Sequence, residues 1–554
     1  MGMDTVMVPD RYAGRCKMDF SRKFALIRSV RITFKRIDHQ SVGCSRLAAV
    51  DLVRLMKLGV TLLIALAATP LNAQSPPPRA ASTTPATPAV TSADAPAATA
   101  NAPSFRVVPQ FEINERYTDN AALSNSAPQS DSVTAVTAGL RVDYQAARAK
   151  ALLDYRVDRL FYRQRKNLNS TQHLLNSNAT LEAVEKWLFL DASASITQQN
   201  RSAFGSAGIS DVNSSRANRV ETTTYQVAPN IRGNIADVAN YMLRANGAET
   251  STGDSAFPDS RTYAWTGFVK STSSAGPLGW SVDGTALSVD NSSVGKRLDS
   301  RIRAAAIYEI DAQLHLSLSA GKEFSDLDGR EKSTTNTRGM GFEWSPSERT
   351  QLAAITQKRF FGSDHLVVIA HRTALSTWRF SSAREVVIPT ATSSTSVNNP
   401  EQTGFPASSG IQDGLLAVRP YLSRRQEASV TLLGLRNTIT LAVSQRDQRA
   451  IEGSIVTPGG VAPTEEFRQF RANAAWAYRL SPLSTLRLVI SHLRTEGLFS
   501  EARSTSERLQ SLFFVTQLGT RTSASVGLRR IHFDSTVASS FRENAFVSSL
   551  SVRF

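Results

Sequence analysis

Cysteine is almost absent from this chain: only Cys16 and Cys44 are present, and no cysteine follows them. Chains that cross an oxidising periplasm often avoid unpaired thiols, so a cysteine-free remainder agrees with export. Long apolar runs are also missing after Phe105, so no transmembrane helix is predicted there. Hydrophobic residues make up 41% of the chain, a little below the globular norm, which does not favour a large, dry, two-layer core.

A secretory signal is present, although it begins at Met56 and not at residue 1. The segment "MKLGVTLLIALAATPLNAQ" combines the basic Lys57, an apolar run and small residues that end at Ala73. This layout predicts a signal peptide over 56–73, and its apolar run is too short to span a bilayer permanently. Residues 1–55 are either an extended n-region or an untranslated segment. We favour the second interpretation, because a complete signal begins at its own methionine.

Nearly half of the basic net charge belongs to these first segments. The whole chain has a formal charge of +16, and residues 1–55 together with Lys57 contribute seven of those charges. The remaining charge gives no reason to expect a nucleic-acid partner. Residues 74–104 then form a Pro-, Ala-, Ser- and Thr-rich stretch that cannot bury enough apolar surface to fold. We predict that it is a disordered periplasmic leader, too short and too polar to be a plug domain.

Segments with a period of two dominate residues 105–554. In "QLHLSLSAGKE", Leu314, Leu316 and Leu318 point one way, whereas His315 points the other way. The same alternation occurs in "SRIRAAAIYEI", "FRQFRANAAWAY" and "NTITLAVSQ". One face of each strand is therefore apolar and the other polar, which is typical of strands between lipid and a wet interior.

Short turns alternate with long polar stretches between these segments. Tight turns are predicted near Glu185-Lys186, Gly233-Asn234, Asp311-Ala312, Ser345-Pro346-Ser347 and Ser481-Pro482, and long stretches at 200–218, 250–260, 326–333, 386–413 and 450–466. Outer-membrane barrels have short periplasmic turns and longer extracellular loops. We predict an all-β fold, a transmembrane antiparallel up-and-down β-barrel of about 22 strands (18–22), because the segments near residues 364 and 375 could be one strand.

The last segment, "NAFVSSLSVRF", keeps its period of two to the final residue. Phe546, Leu550, Val552 and Phe554 share one register, in which Ser548 interrupts the apolar series. A sheet in hydrocarbon cannot leave an unpaired edge, so the last strand should pair with the first. The segment also resembles the C-terminal signal that the outer-membrane barrel assembly machinery reads. We expect that machinery and outer-membrane lipid to be partners of the chain.

Several stretches carry a resemblance that spans about residues 105–554. They are "FEINERYTDNAAL", "YQVAPNIRG", "GFEWSPSERTQLAAITQKRFFG", "LRNTITLAVSQRDQR", "VGLRRIHFDS" and "FRENAFVSSLSVRF", with Tyr-Thr-Asp-Asn after the first strand, Trp-x-Pro at a turn and Phe-Phe-Gly at a hairpin tip. Together they resemble the exosortase (PEP-CTERM) system-associated outer-membrane proteins of Gram-negative bacteria. The resemblance implies an outer-membrane location beside exopolysaccharide synthesis and protein sorting. It implies no catalytic residues.

No catalytic, metal or cofactor site is predicted. "DNSSVGKR" at 290–297 lacks the first glycine of a phosphate loop and leads into a strand. His365 and His371 share a strand face but lie too far apart for one metal ion. Ser491 and His492 are strand neighbours that point to opposite faces, so they cannot act as nucleophile and base.

The polar faces supply the candidate functional residues, the arginines Arg301, Arg303, Arg471 and Arg487. In a lumen they would attract anions and acidic polysaccharide. Alternatively, they pair with carboxylates such as Asp283 and Glu309 and fill the interior.

Two functions of different classes remain open. The first is an export or diffusion pore of an exopolysaccharide and exosortase system, with exopolysaccharide or its periplasmic export components as partners. The alternative is a non-conducting structural or adhesion barrel whose outer loops bind extracellular polymer. An outer-membrane hydrolase is a distant third, and we do not expect an enzyme.

Overall fold

The computed structural model describes residues 104–206, 218–254, 257, 259–272, 276–291, 295–327, 333–387, 420–451, 466–499 and 503–554. The predicted segments 1–55 and 56–73, and the leader up to residue 103, lie outside the described residues. No helix in the described part of the chain is long and apolar enough to span a membrane.

The described chain forms one antiparallel sheet of 22 strands. The strands are β1 Ser104–Thr118, β2 Asp131–Gln145, β3 Ala149–Tyr162, β4 Ser170–Val184, β5 Leu188–Asn200, β6 Arg219–Ile235, β7 Ala239–Thr252, β8 Ser260–Ser271, β9 Leu278–Asn291, β10 Gly295–Glu309, β11 Leu314–Ser325, β12 Ser333–Ser347, β13 Thr350–Arg359, β14 Gly362–Arg372, β15 Ser376–Val387, β16 Tyr421–Leu433, β17 Asn437–Ala450, β18 Phe467–Arg479, β19 Ser484–Gly497, β20 Ser504–Gln517, β21 Thr522–Ser535 and β22 Phe541–Arg553. A short 3₁₀ turn, Lys166–Leu168, follows β3.

Each strand pairs with its neighbours in sequence, and the sheet closes where β1 pairs with β22. Residues 110–118 of β1 lie opposite residues 545–553 of β22. The predicted fold, an up-and-down barrel, is therefore confirmed, and so is its strand number. The segments near residues 364 and 375 are two strands, β14 and β15, which pair with each other.

The period of two separates a lipid face from a lumen face. On β10, Ile302 is 54% exposed and points out of the barrel, whereas its neighbours Arg301 and Arg303 point inward. On β11, Leu318 points outward and Glu323 is fully buried on the lumen face. Apolar side chains that are exposed on the outer wall would lie in hydrocarbon, and polar groups would line the interior.

The two rims of the barrel differ in the length of their connections. One rim carries both strand ends Ser104 and Arg553 and short turns such as 146–148, 185–187 and 348–349. The other rim carries the connections 119–130, 201–218, 388–420 and 451–466. By the usual asymmetry of outer-membrane barrels, the first is the periplasmic rim and the second is the extracellular rim.

Two predicted turns lie a few residues away from the observed ones. Gly233 and Asn234 continue the β6–β7 ladder, and the turn falls at 236–238, because Tyr241 packs over the space that a side chain at Gly233 would fill. Pro346 lies within β12 and not in the turn at 348–349. The ladder is irregular there, which suits a residue without an N–H group.

Candidate functional site

The lumen face of β10–β14 carries a network of buried charges in its extracellular half. Arg359 pairs with Glu323 and lies 3.3 Å from Asp364 (Nη1 to Oδ2). The amide of Gln357 also donates to Asp364, over 2.9 Å. Charges in such a network hold one another in fixed positions, so this part of the wall is polar and rigid.

Four arginines predicted from the sequence lie on the lumen face, but in different settings. Arg303 donates to Asp283 over 2.9 Å (Nε to Oδ1), so this arginine follows the alternative in which the lumen arginines pair with carboxylates. Arg301 lies beside the network, and its buried Nε atom has no hydrogen-bond partner among the described residues. Arg471 is half-buried, and Arg487 is exposed toward the periplasmic half of the lumen. The four therefore form no single cluster.

The lumen face of β20–β22 is instead apolar near the extracellular rim. Leu509, Ile531, Phe533 and Phe541 form a buried cluster, against which Leu123 of the first extracellular loop packs. An apolar surface that faces the water-filled opening of the barrel would raise the free energy of the folded state if it stayed exposed to water. Covering by neighbouring loops explains why it is buried.

A loop segment, residues 201–206, reaches from the end of β5 to the opposite wall, and we call it the clasp. The Phe204 ring is 2% exposed and meets the ring of Phe467 edge to face, with centroids 6.4 Å apart. The guanidinium of Arg503 lies 4.2 Å from the Phe204 centroid. Ser206 donates from Oγ to the buried Glu507 over 3.0 Å. The clasp thus reaches the far wall through these side-chain contacts.

Asn218 holds the clasp in shape. Its side chain accepts a hydrogen bond from the Ser202 amide and donates to the carbonyl oxygens of Ser202 and Ser206, at 3.0 to 3.2 Å. A Cβ atom at Gly205 would lie 2.2 Å from the Asn218 side chain. Only glycine therefore fits at residue 205.

The clasp narrows the extracellular mouth. The shorter path along the wall from β5 to β20 takes seven steps between strands, through the β1–β22 pair. In a circular ring of 22 tilted strands, positions this far apart would be roughly 37 Å from each other. The six residues from Asn200 to Ser206 span at most about 20 Å. The two walls must therefore approach each other at this rim.

Where the barrel closes, β1 and β22 are joined by a buried ionic cluster as well as by the backbone ladder, and we call this closure the seam. Glu543 is 1% exposed and accepts hydrogen bonds from Thr118 at 2.8 Å and from Arg529 at 2.9 Å. Arg116 lies 3.6 Å from the same carboxylate. Two buried arginines therefore share one carboxylate between the first and last strands.

The motif Tyr-Thr-Asp-Asn continues the seam above the ladder. Asp119 accepts hydrogen bonds from the backbone and side-chain amides of Asn544, at 2.8 and 2.7 Å. The side-chain amide of Asn120 donates to the Arg542 carbonyl over 2.9 Å. The motif from Tyr117 to Asn120 thus ties the end of the first strand to the beginning of the last.

The predicted assembly-signal residues lie at the other end of the seam. Phe546, Leu550 and Val552 are on the lipid face of β22, opposite Tyr117, Ile113 and Phe111 of β1. The backbone N–H of Phe554 donates to the Pro109 carbonyl over 2.9 Å, and the Phe554 ring is exposed at the periplasmic rim.

No protein-family model matches the sequence, and no curated protein is significantly similar to it. Solved structures of similar architecture include the siderophore receptor PirA from Pseudomonas aeruginosa, which is 9% identical with a TM-score of 0.45, over 82% of this chain and 81% of that chain. The FrpB iron transporter from Neisseria meningitidis is 10% identical with a TM-score of 0.46, over 80% and 82%. At this level of similarity nothing about ligands transfers to this chain.

The closed barrel with an apolar outer band makes this chain an integral outer-membrane protein. Ser491 and His492 do point to opposite faces: Ser491 is buried on the lumen face and donates to Asn473 over 2.6 Å, whereas His492 lies on the lipid face. His365 and His371 bind different partners, Ser382 and Thr350. Within the described residues, no group of three metal-ligating side chains is present.

The sequence did not predict the clasp, nor the two carboxylates that accept its hydrogen bonds and those of the seam, Glu507 and Glu543. One signal for the seam exists, since Glu543 is the only acidic residue in the last strand and shares the inward register of Ala545 and Val547. No comparable signal marks Phe204, because its partners lie more than 250 residues away in sequence.

Proposed function

We propose that this protein is a gated outer-membrane pore for hydrophilic, preferentially anionic molecules, and that it serves an exopolysaccharide and exosortase system. The observation that carries the gate is the clasp. It closes part of the mouth through Phe204, Ser206 and their partners, and its described residues, 201–206, belong to no strand. Contacts of this kind can break and re-form without unfolding a strand.

The charges of the lumen support a preference for anions. Arg303 is balanced by Asp283, whereas Arg301 lies beside the wall network, and Arg471 and Arg487 lie farther along the inner face. Basic side chains that line a pore raise the local concentration of anions. An acidic polysaccharide is a polymer of the matching charge, and the resemblance to exosortase-associated proteins suggests the same class of substrate.

Conductance of the refolded protein in planar bilayers tests the pore. We expect small or brief openings for the unaltered chain and frequent, larger openings for Phe204→Ala, because the substitution removes the contacts with Phe467 and Arg503. Phe499→Ala is the matched control, since Phe499 is 78% exposed in another extracellular loop. Its conductance should equal that of the unaltered chain.

The alternative is a non-conducting barrel whose outer loops bind extracellular polymer. The ion pairs that fill parts of the interior, such as Arg303 with Asp283, favour it. Absence of current in Phe204→Ala and in a variant without residues 388–419 would contradict the pore and leave this alternative.

A further inference from the structure

The lipid face of the barrel carries a row of arginines close to the extracellular rim, on β15–β20. Arg384, Arg424, Arg449, Arg468, Arg494 and Arg508 belong to it. On β17 the register is plain, since Leu441 and Val443 point into the apolar band at 45% and 47% exposure, and Arg449 follows in the same register. The row therefore lies directly above hydrocarbon, at the level of lipid headgroups.

The same rim is different on the other side of the barrel. On β7–β9, Arg261 pairs with Glu249 at 3.2 Å and lies opposite Asp290. On β3, Arg159 donates to Thr171. The charge of Arg261 is therefore matched by carboxylates of the barrel itself, and the Arg159 guanidinium is engaged by a neighbouring hydroxyl.

The arginines of β15–β17 surround a cleft of about 330 Å³ that is also lined by His365 and Asp447. The charge of Asp447 is already balanced by Arg468, whose Nε lies 2.9 Å from Oδ1 of Asp447. Arg424 and Arg449 are exposed, and neither guanidinium group makes a hydrogen bond or ion pair with any described residue. The cleft thus presents two unmatched guanidinium groups, which are suited to bidentate binding of phosphate.

An apolar groove lies on the same strands nearer the middle of the membrane. It has a volume of about 380 Å³, and its apolar lining includes Ile369, Trp378, Phe380 and Leu441. Val443 also lines it and is four residues from Asp447 of the cleft, which is about 14 Å along a strand. A phosphate in the cleft and an acyl chain in the groove can therefore belong to one molecule.

We propose that the outer wall over β14–β18 binds one phosphorylated glycolipid of the extracellular leaflet. Its phosphate lies between Arg424 and Arg449, and an acyl chain lies against Trp378 and Leu441. The lipid would hold the two hairpins that flank the connection 388–420 in a fixed orientation. This site is on the lipid face and does not depend on the lumen being a pore.

Native mass spectrometry of the full chain in detergent, with added diphosphoryl lipid A, tests the proposal. We expect Arg424→Gln/Arg449→Gln to retain at least about tenfold less lipid A than the unaltered chain, because both charge-assisted contacts with the phosphate are lost. The matched control, Arg159→Gln/Arg261→Gln, removes the same charge from the same rim on the other side and should retain as much lipid A as the unaltered chain. Dephosphorylated lipid A should bind weakly to all three proteins.

Three outcomes would overturn the proposal. The first is equal retention of lipid A by the cleft variant and the unaltered chain, and the second is an equal loss of lipid A in the control variant. The third is binding of inorganic pyrophosphate as tight as that of lipid A, which would show a phosphate site without a lipid. If the double variant fails to assemble, Arg424→Gln alone is compared with its control, Arg159→Gln. A loss of about threefold in retained lipid A for Arg424→Gln supports the proposal, and no loss overturns it.

Discussion

The seam and the clasp both join segments that are far apart in sequence, but they do so by different chemistry. Thr118 and Glu543 of the seam are 425 residues apart, and Ser206 and Glu507 of the clasp are 301 residues apart. The seam has a continuous backbone ladder in addition to its buried ions. The contacts of the clasp with the far wall include an aromatic contact, a cation–π contact and a hydroxyl–carboxylate hydrogen bond, and residues 201–206 belong to no strand.

This difference separates a permanent joint from a reversible one. Opening the seam would expose two strand edges to hydrocarbon, where each unpaired backbone group costs several kcal/mol. Opening the clasp separates the buried rings of Phe204 and Phe467 and leaves every strand paired. The same barrel can therefore be closed firmly as a wall and loosely at its mouth. The predictions below distinguish the two.

The largest effect is expected at the end of the seam. Removal of Phe554, or Leu550→Asp with Val552→Asp, should strongly reduce the amount of protein in the outer membrane, because these residues form the lipid face of the closing strand and the predicted assembly signal. The measurement is the heat-modifiable, folded fraction in isolated outer membranes. Ser548→Asp in the same register is the control for added charge. Unchanged assembly in the first two variants would contradict the predicted assembly signal at the C-terminus.

The buried carboxylate of the seam should come next. Glu543→Ala leaves Arg116 and Arg529 buried without their shared partner, which typically costs about 3–5 kcal/mol. Urea unfolding in lipid vesicles should show this loss. Glu507→Ala removes the same group from the clasp. This variant should unfold at a urea concentration much closer to that of the unaltered chain, but its channel should open more often in bilayers. Equal destabilisation by both substitutions would contradict the distinction between seam and clasp.

A backbone substitution sharpens the role of the clasp. Gly205→Ala should displace residues 201–206, since the added Cβ atom would collide with the Asn218 side chain. If the displacement favours the open form by about 1.4 kcal/mol, the ratio of open to closed channels rises tenfold. Single-channel open probability is the measurement. Gly253→Ala is the control, because nothing lies within 4 Å of a Cβ atom there.

The smallest effect is expected from the lumen arginines. Arg471→Gln with Arg487→Gln should lower the preference for anions and weaken block by an acidic polysaccharide, because the wall loses two positive charges. The reversal potential in a salt gradient measures the first effect. Arg508→Gln with Arg530→Gln, on the lipid face, should leave it unchanged. Equal shifts for both pairs would contradict a role for these lumen residues.

Local pattern was enough to predict the wall. The alternation of Leu314, Leu316 and Leu318 with polar residues, and the alternation of short and long connections, predicted the barrel and its strand number. They succeed because the strand period depends only on backbone geometry and on which side faces lipid. Gly233-Asn234 and Pro346 show the limit of the method, since residues that favour turns lie within strands here, the first two in the β6–β7 ladder and Pro346 at an irregularity of β12.

The division between residues that face lipid and residues that face the interior follows from the local period of two, and the pairing of the last strand follows from the cost of an open edge. The roles of the inward residues depend on the folded barrel. Glu543 became the centre of the seam and Phe204 the centre of the clasp because closure of the sheet and approach of the walls brought their partners near. The Tyr-Thr-Asp-Asn motif, visible in the sequence as a mere resemblance, acquired its role in the same way. Contacts between residues hundreds of positions apart leave no trace in local periodicity.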